Sequence, residues 1–163
     1  ACAIAATYEP RLDVGRIAQY AIVHDLIEVY AGDTPTLYLD KKLSQEKAKR
    51  EQAALERITK EFGELFPWLP QTIKEYESAG SKEAQFVKII DKAVRSITHL
   101  NVDCESLKAN GVRSSGDVEK SAKGTTVNIE KYAETNPLAW AIRTEFIKKI
   151  QKTLSDSKPS TMA

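Results

Sequence analysis

Apolar residues recur along this chain at three- and four-residue intervals and strand-like alternation is scarce, so the pattern predicts helices throughout. A short helix is expected from Ala1 to about Tyr8, stopped by Glu9-Pro10. Asp13 is placed to cap the next helix, which the pattern carries to about Ala31, where Gly32 suits the position just past a helix end. Between Ile17 and Tyr30 this helix reads apolar nearly all round, the composition of a helix at the centre of a bundle. After a turn or loop from Gly32 to Lys42, Ser44 caps a long charged helix through about Phe62, with Ala48, Leu55, Ile58 and Phe62 as its buried stripe.

The corner at Phe66-Pro67-Trp68-Leu69-Pro70 leads into a short helix ending at Gly80. Ser81 then caps a strong helix with Phe86, Val87, Ile90, Val94 and Ile97 on its apolar face. A loop is expected over Asn110–Gly116, then a weaker helix through about Tyr132. Asn136-Pro137 starts a last helix reaching about Leu154, with Leu138, Ala141, Ile142, Phe146 and Ile150 as its stripe. The expectation is an all-α fold, a single-domain helical bundle over residues 1–154 with a flexible tail at 155–163.

Composition narrows the function classes. Apolar residues make up 42% and charged residues 29% of the 163, which rules out wholesale disorder. Lys+Arg 24 against Asp+Glu 23 leaves a formal charge of +1, so no global field draws in a nucleic acid polymer or an acidic membrane. No apolar run approaches the ~18 residues of a membrane span, and no secretory signal is read at the start. Cys2 and Cys104 are too few for a disulfide framework and lack metal-site spacing, so a reducing, cytoplasmic setting is expected. The opening Ala1-Cys2-Ala3-Ile4-Ala5-Ala6, without initiator Met or cap, reads as a helix whose beginning lies upstream.

The apolar helix carries the candidate chemistry. His24, Asp25 and Glu28 are its only ionisable groups past Arg16. An ionised carboxylate in a low-dielectric core is costly unless it is paired or bound to a metal. His24 and Glu28, four apart, share one helical face, and Asp25 lies roughly 100° round from His24. Asp91 is a second acid inside an apolar stretch, Phe86 to Val94. His24, Asp25 and Asp91 would offer one nitrogen and two oxygen donors to a divalent ion such as Mn, Co, Fe, Mg or Zn. The residues alone leave a second reading open: a hydrogen-bonded core histidine beside acids neutralised by Lys or Arg, with Lys88 and Lys92 close to Asp91.

The run His24-Asp25-Leu26-Ile27-Glu28-Val29-Tyr30-Ala31-Gly32-Asp33-Thr34-Pro35-Thr36 strongly resembles the signature of the HD-domain metal-dependent phosphohydrolases. The closest branch is the bacterial 5′-deoxynucleotidase-like one, where the HD pair is followed by a Glu three residues after the Asp, then by Gly-Asp and Pro-Thr. Glu83 to Lys92, with Lys88 three before Asp91, resembles that family's later helix carrying its last metal-binding Asp. The likeness covers about Ala1 to Leu100 and implies an HD-domain-like bundle.

The resemblance also implies roles. One divalent metal ion would be held by His24, Asp25 and Asp91. Glu28 would protonate the leaving 5′-oxygen as general acid, or else orient a ligand. Asp33, Thr34, Pro35 and Thr36 would contact the sugar or phosphate of a nucleotide substrate, while also serving as ordinary helix-stop residues. Lys88 reads as a phosphate or carboxylate partner or as a solvated lysine, and Trp68 and Trp140 as core or interface aromatics. The family's first metal-binding His precedes the HD helix, and the Ala1–Tyr8 stub contains none, so it is expected a few residues upstream of Ala1. His99, two turns past Asp91, is not a substitute. The expected activity is removal of phosphate from a nucleoside (deoxy)5′-monophosphate by a homodimer. The alternatives are hydrolysis of a triphosphate, an alarmone or a cyclic nucleotide, or a non-catalytic module that binds a nucleotide or partner.

Overall fold

The computed structural model describes residues 1–32 and 41–156, Lys41 by its backbone alone. Asp33, Thr34, Pro35 and Thr36 lie outside the described residues, as does the 157–163 part of the expected tail. Among the described residues the structure is all-α, with no β-strand. Two compact units form, Ala1–Lys88 and Ile89–Ala163.

The first unit holds α1 (Cys2–Tyr8), α2 (Val14–Val23), α3 (Glu28–Ala31), α4 (Lys41–Phe62), α5 (Trp68–Ser78) and the first turns of α6 (Lys82–Asn101). Two of its caps are those predicted. The Asp13 carboxylate accepts the Arg16 backbone N–H at 3.1 Å, and Ser81 Oγ accepts that of Ala84 at 3.1 Å. α2 packs on α1 and α5, and α4 packs on α3 and α5. Ile17, Tyr20 and Val23 of α2, Ile58 of α4, Ile73 and Tyr76 of α5 and Phe86 of α6 are all buried. Burying one such side chain stabilises by about 1.5–3 kcal/mol.

A polar brace joins α2 to α5. Arg16 Nη2 donates to Tyr20 Oη at 2.9 Å and to Glu75, and Gln71 Nε2 donates to Glu75 Oε1 at 3.0 Å. Hydrogen bonds from Gln71 and then Arg16 hold the Glu75 carboxyl below its usual 4.5, and Glu75 in turn raises the Arg16 guanidinium.

The apolar pattern overstates three buried faces in this unit and the next. The predicted helix from Asp13 to about Ala31 is not continuous: α2 ends at Val23 and α3 begins at Glu28. Nor is it buried all round, since Ile22 is 69% and Val29 70% exposed. Among the described residues α1 and α5 pack on α2, and α4 packs on α3. On α4, which starts at Lys41 rather than after Ser44, Ala54 and Ile58 are buried while Ala48 and Phe62 are exposed. On α6, Phe86, Val87 and Ile90 are buried as predicted, whereas Val94 and Ile97 are exposed and Ile89 and Ala93 take the buried side.

The second unit comprises the rest of α6, α7 (Glu105–Ala109), α8 (Ser115–Thr126), a 3₁₀ turn at Glu130–Tyr132 and α9 (Pro137–Asp156). Its core is Cys104, Val112, Val118, Ile150 and Leu154, with Leu100, Leu107 and Ile147 packed against it. Both cysteines are free thiols. α9 runs two residues past the predicted end at Leu154; of the predicted stripe Ile150 is buried, Leu138, Ile142 and Phe146 are half-buried and Ala141 is exposed, while Ala139, Arg143 and Leu154 complete the buried face. Arg143 explains the rotation. Its Nη2 donates to Thr125 Oγ1 at 3.2 Å and Thr126 Oγ1 at 2.8 Å, at the C-terminal end of α8, where a helix dipole favours a cation. Burial pulls the guanidinium below its usual range, and Glu130 works against that shift.

Two substitutions five residues apart on α2 separate a one-sided helix from a central one. Ile17→Ala should destabilise by about 2–5 kcal/mol in urea melts. Ile22→Ala should stay within about 0.5 kcal/mol; equal losses would return α2 to the centre of a core. For the brace, a carboxylate pKa lowered on folding contributes stability above its unfolded value and loses it as pH falls through the folded one. The Tm advantage of wild type over Glu75→Gln should therefore be present at neutral pH and close as pH drops below 4.5. The pair is partly exposed, so the advantage is small, within about 1 kcal/mol.

Candidate functional site

The break between α2 and α3 falls on the His-Asp pair. Over this stretch the backbone closes three-residue turns. Leu26 N–H donates to Val23 at 3.1 Å, Glu28 to Asp25 at 2.9 Å, Val29 to Leu26 at 3.3 Å and Tyr30 to Ile27 at 3.2 Å. Four-residue bonds resume with Ala31 to Ile27 at 3.0 Å and Gly32 to Glu28 at 2.8 Å. The cause is local. His24 Nδ1 lies 2.8 Å from the carbonyl oxygen of Ala21, the acceptor that the Asp25 N–H would use in a regular α-helix.

Tighter winding changes which residues align. In a 3₁₀ segment positions i and i+3 eclipse, while i and i+4 move from about 40° to about 120° apart. Winding of that kind would turn Glu28 from the line of His24 toward that of Asp25. Gly32 ends the segment at φ 74°, a left-handed conformation that glycine adopts without strain. α3 is fastened to α4 by Tyr30, whose hydroxyl donates to Glu61 Oε2 at 2.5 Å. The Arg57 guanidinium lies 3.9 Å over the Tyr30 ring, and its Nε donates to Glu61 at 2.7 Å. Hydrogen bonds from Arg57 and Tyr30 hold the Glu61 carboxyl low.

At the pair itself, His24 Nε2 is 2.9 Å from Asp25 Oδ2. A carbonyl oxygen only accepts, so Nδ1 must carry the proton it shares with Ala21. In a neutral ring Nε2 is then a bare acceptor, facing a carboxylate that is also acceptor-only. Two acceptors at this distance require a positive centre between them, either a second ring proton or a metal cation. One imidazole nitrogen and one carboxylate oxygen suit a divalent ion, so the donor chemistry present fits a metal. The expectation of buried acids does not hold for Asp25, whose side chain is 57% exposed, because it shares the uncovered face with Ile22 and Val29.

The other predicted residues sit as follows. Glu28 is half-buried and opens α3. Asp91, in the second unit, is mostly buried and lies 2.6 Å from Lys92 Nζ and 3.6 Å from Arg95 Nη2. Lys88, in the first, contacts Glu77 Oε2 at 3.4 Å and lies 4.0 Å from the Tyr76 ring centroid. His99 pairs through Nδ1 with Ser106 Oγ at 2.8 Å, and burial together with Arg95 keeps its imidazole below the usual value. Trp68 is half exposed. Among the described residues, no three His, Cys, Asp or Glu side chains gather into a metal-holding group. Tyr76, which meets the His24 ring at 83°, was not read from the sequence, because no local spacing links it to His24.

Comparison with known proteins places the chain. The HD domain family matches residues 1–133, and the chain belongs to that family, whose members generally depend on a divalent metal ion. Among curated proteins it is 37% identical over 87 residues to 5′-deoxynucleotidase HDDC2 of Mus musculus, covering 53% of this chain and 43% of that protein. It is 36% identical over 85 residues to 5′-deoxynucleotidase HDDC2 of Homo sapiens, covering 52% and 41%. With 5′-deoxynucleotidase hdd1 of Schizosaccharomyces pombe the identity is 36% over 90 residues, covering 52% and 44%. The matched stretch is thus less than half the length of these relatives. No solved structure matches the chain. No helix among the described residues is long and apolar enough to cross a membrane.

Proposed function

We propose that this chain is a metal-dependent phosphohydrolase that removes phosphate from a nucleoside (deoxy)5′-monophosphate. The observation that carries the reading is the facing of His24 Nε2 and Asp25 Oδ2 at 2.9 Å, a nitrogen and a carboxylate oxygen side by side that suit a divalent ion. HD-family membership and the relatives' printed 5′-deoxynucleotidase names support it from outside the site.

His24 and Asp25 would hold the ion, one of Mn, Co, Fe, Mg or Zn, and the family resemblance assigns Asp91 the same duty. When bound, such an ion neutralises charge on the phosphate and acidifies a water. The chain's own residues do the rest. The Ala21 carbonyl keeps the His24 proton on Nδ1, so Nε2 stays available as a donor of its lone pair. Glu28 holds a proton on its carboxyl and passes it to the 5′-oxygen as the phosphorus–oxygen bond breaks. Asp33, Thr34, Pro35 and Thr36 contact the sugar or phosphate. The proposed setting is cytoplasmic and the proposed assembly a homodimer.

The test is phosphate release from a panel of nucleoside 5′-monophosphates with Mn, Co or Mg, alongside metal content. Wild type should bind metal and release phosphate, and His24→Ala should lose both. Glu28→Gln should keep its metal while turnover falls about 10²–10⁴-fold. Asp91→Ala should lose metal while helicity by circular dichroism persists; unchanged metal content in that variant removes Asp91 from the site. Metal without turnover on any monophosphate moves the substrate to triphosphates, alarmones or cyclic nucleotides. Neither metal nor turnover leaves a nucleotide- or partner-binding module.

A further inference from the structure

α4 and α5 pack on each other within the first unit and are joined by the corner Gly63–Pro67. Hydrogen bonds fix its backbone: Gly63 N–H donates to Thr59 at 2.9 Å, Phe66 N–H to Phe62 at 2.7 Å and Leu69 N–H to Phe66 at 3.0 Å. Around this corner Phe62, Leu65, Phe66 and Trp68 are all exposed, Leu65 by 74%. Three aromatic rings and a leucine so close in sequence leave on the order of a few hundred Å² of apolar surface in water, the size at which a patch marks an interaction site.

Between the same two helices runs a groove of about 280 Å³. Leu55 gives it an apolar wall, and Lys60 from α4 and Lys74 from α5 line it as well. Among the described residues neither ammonium makes a hydrogen bond or ion pair, beyond a through-space effect of Lys60 on Glu61. Glu56, the acid in the lining, already accepts from Gln52 Nε2 at 2.9 Å. Glu64 stands on the corner beside Leu65, exposed and likewise without hydrogen bond or ion pair among the described residues.

A surface that meets a copy of itself about a two-fold axis must complement itself, residue i of one copy meeting residue j of the other and the reverse. This hairpin does so in shape, with a corner and a groove, and in charge, with an acid on the one and two cations in the other. An anionic membrane would meet Glu64 on the corner, and a partner of one sign would meet a like charge on the corner or in the groove.

We propose that two copies of this chain pair antiparallel through the α4–α5 hairpin. The apolar corner of each sits in the groove of the other, with Glu64 between the partner's Lys60 and the partner's Lys74. The inference rests on the homodimer of the proposed function and names its face; it is independent of the metal chemistry.

The experiment is sedimentation velocity of the full chain over a range of concentrations, with circular dichroism as the check on folding. Wild type should sediment as a dimer. Leu65→Ser and Phe66→Ser, both at the surface, should keep their helicity and weaken the dimer about 30-fold or more. Should either not fold, the charge variants decide. Lys74→Glu and Glu64→Lys should each weaken the dimer, and the two together should recover part of the loss. Ile22→Ser, on the exposed face of α2, should leave dimerisation unchanged. Wild-type dimerisation by folded Leu65→Ser and Phe66→Ser overturns the assigned face and leaves the homodimer standing, as does a double charge reversal no better than either single one. A wild type that stays monomeric overturns both, including one that floats with phosphatidylserine vesicles instead. Phosphate release, measured in parallel, reports on the hydrolase reading by itself.

Discussion

The 2.8 Å contact between His24 Nδ1 and the Ala21 carbonyl acts on the backbone and on the chemistry together. On the backbone it occupies the acceptor that would have continued α2, and the chain answers with three-residue turns until α3. On the ring it places a proton on Nδ1 and turns Nε2 toward the Asp25 carboxylate. A regular helix through this point would free Nδ1 and put a different set of side chains in line. The site is therefore written into the winding of the chain as much as into its residues.

Such a site needs rigid supports, and the first unit supplies three. The Arg16–Glu75 brace ties α2 to α5 just before the break. The Tyr30–Arg57–Glu61 cluster ties α3 to α4 just after it. Tyr76 on α5 stands against the imidazole itself. The two polar fastenings lie close to the surface, where individual contributions are modest, so the apolar core beneath them must provide most of the stability. Asp25 stays half open to water on the face it shares with Ile22 and Val29. That exposure keeps the energetic cost of the carboxylate low and leaves room for a ligand to reach it.

Much of this was legible in the residues. Helix starts carry their own chemistry, so Asp13, Ser81 and Pro137 fell where the caps and first turns formed. Gly32 sits at the predicted helix end because its φ of 74° suits glycine. The His-Asp pair and its neighbour Glu28 were visible as ionisable groups in an apolar run. The break at His24 was not, because a side-chain hydrogen bond to the previous turn leaves no trace in hydrophobic periodicity. The face of α9 was misread for a related reason. A pattern that counts apolar positions gives no place to Arg143, whose burial depends on hydroxyls at the end of α8. Val94 and Ile97 show the converse, since apolar spacing marks a stripe without saying what covers it. Tyr76 depends on contacts far apart in the chain, which spacing cannot reveal.

The most direct test of the central claim is a Co²⁺ titration followed by proton NMR for hyperfine-shifted resonances. Coordination through Nε2 with the proton retained on Nδ1 predicts one exchangeable, strongly shifted imidazole N–H signal from His24. It should grow with the metal to a stoichiometric plateau and be missing in His24→Ala. Absence of any such signal at saturating Co²⁺, or its persistence in His24→Ala, would contradict the claim that the His24–Asp25 pair is built to hold a cation.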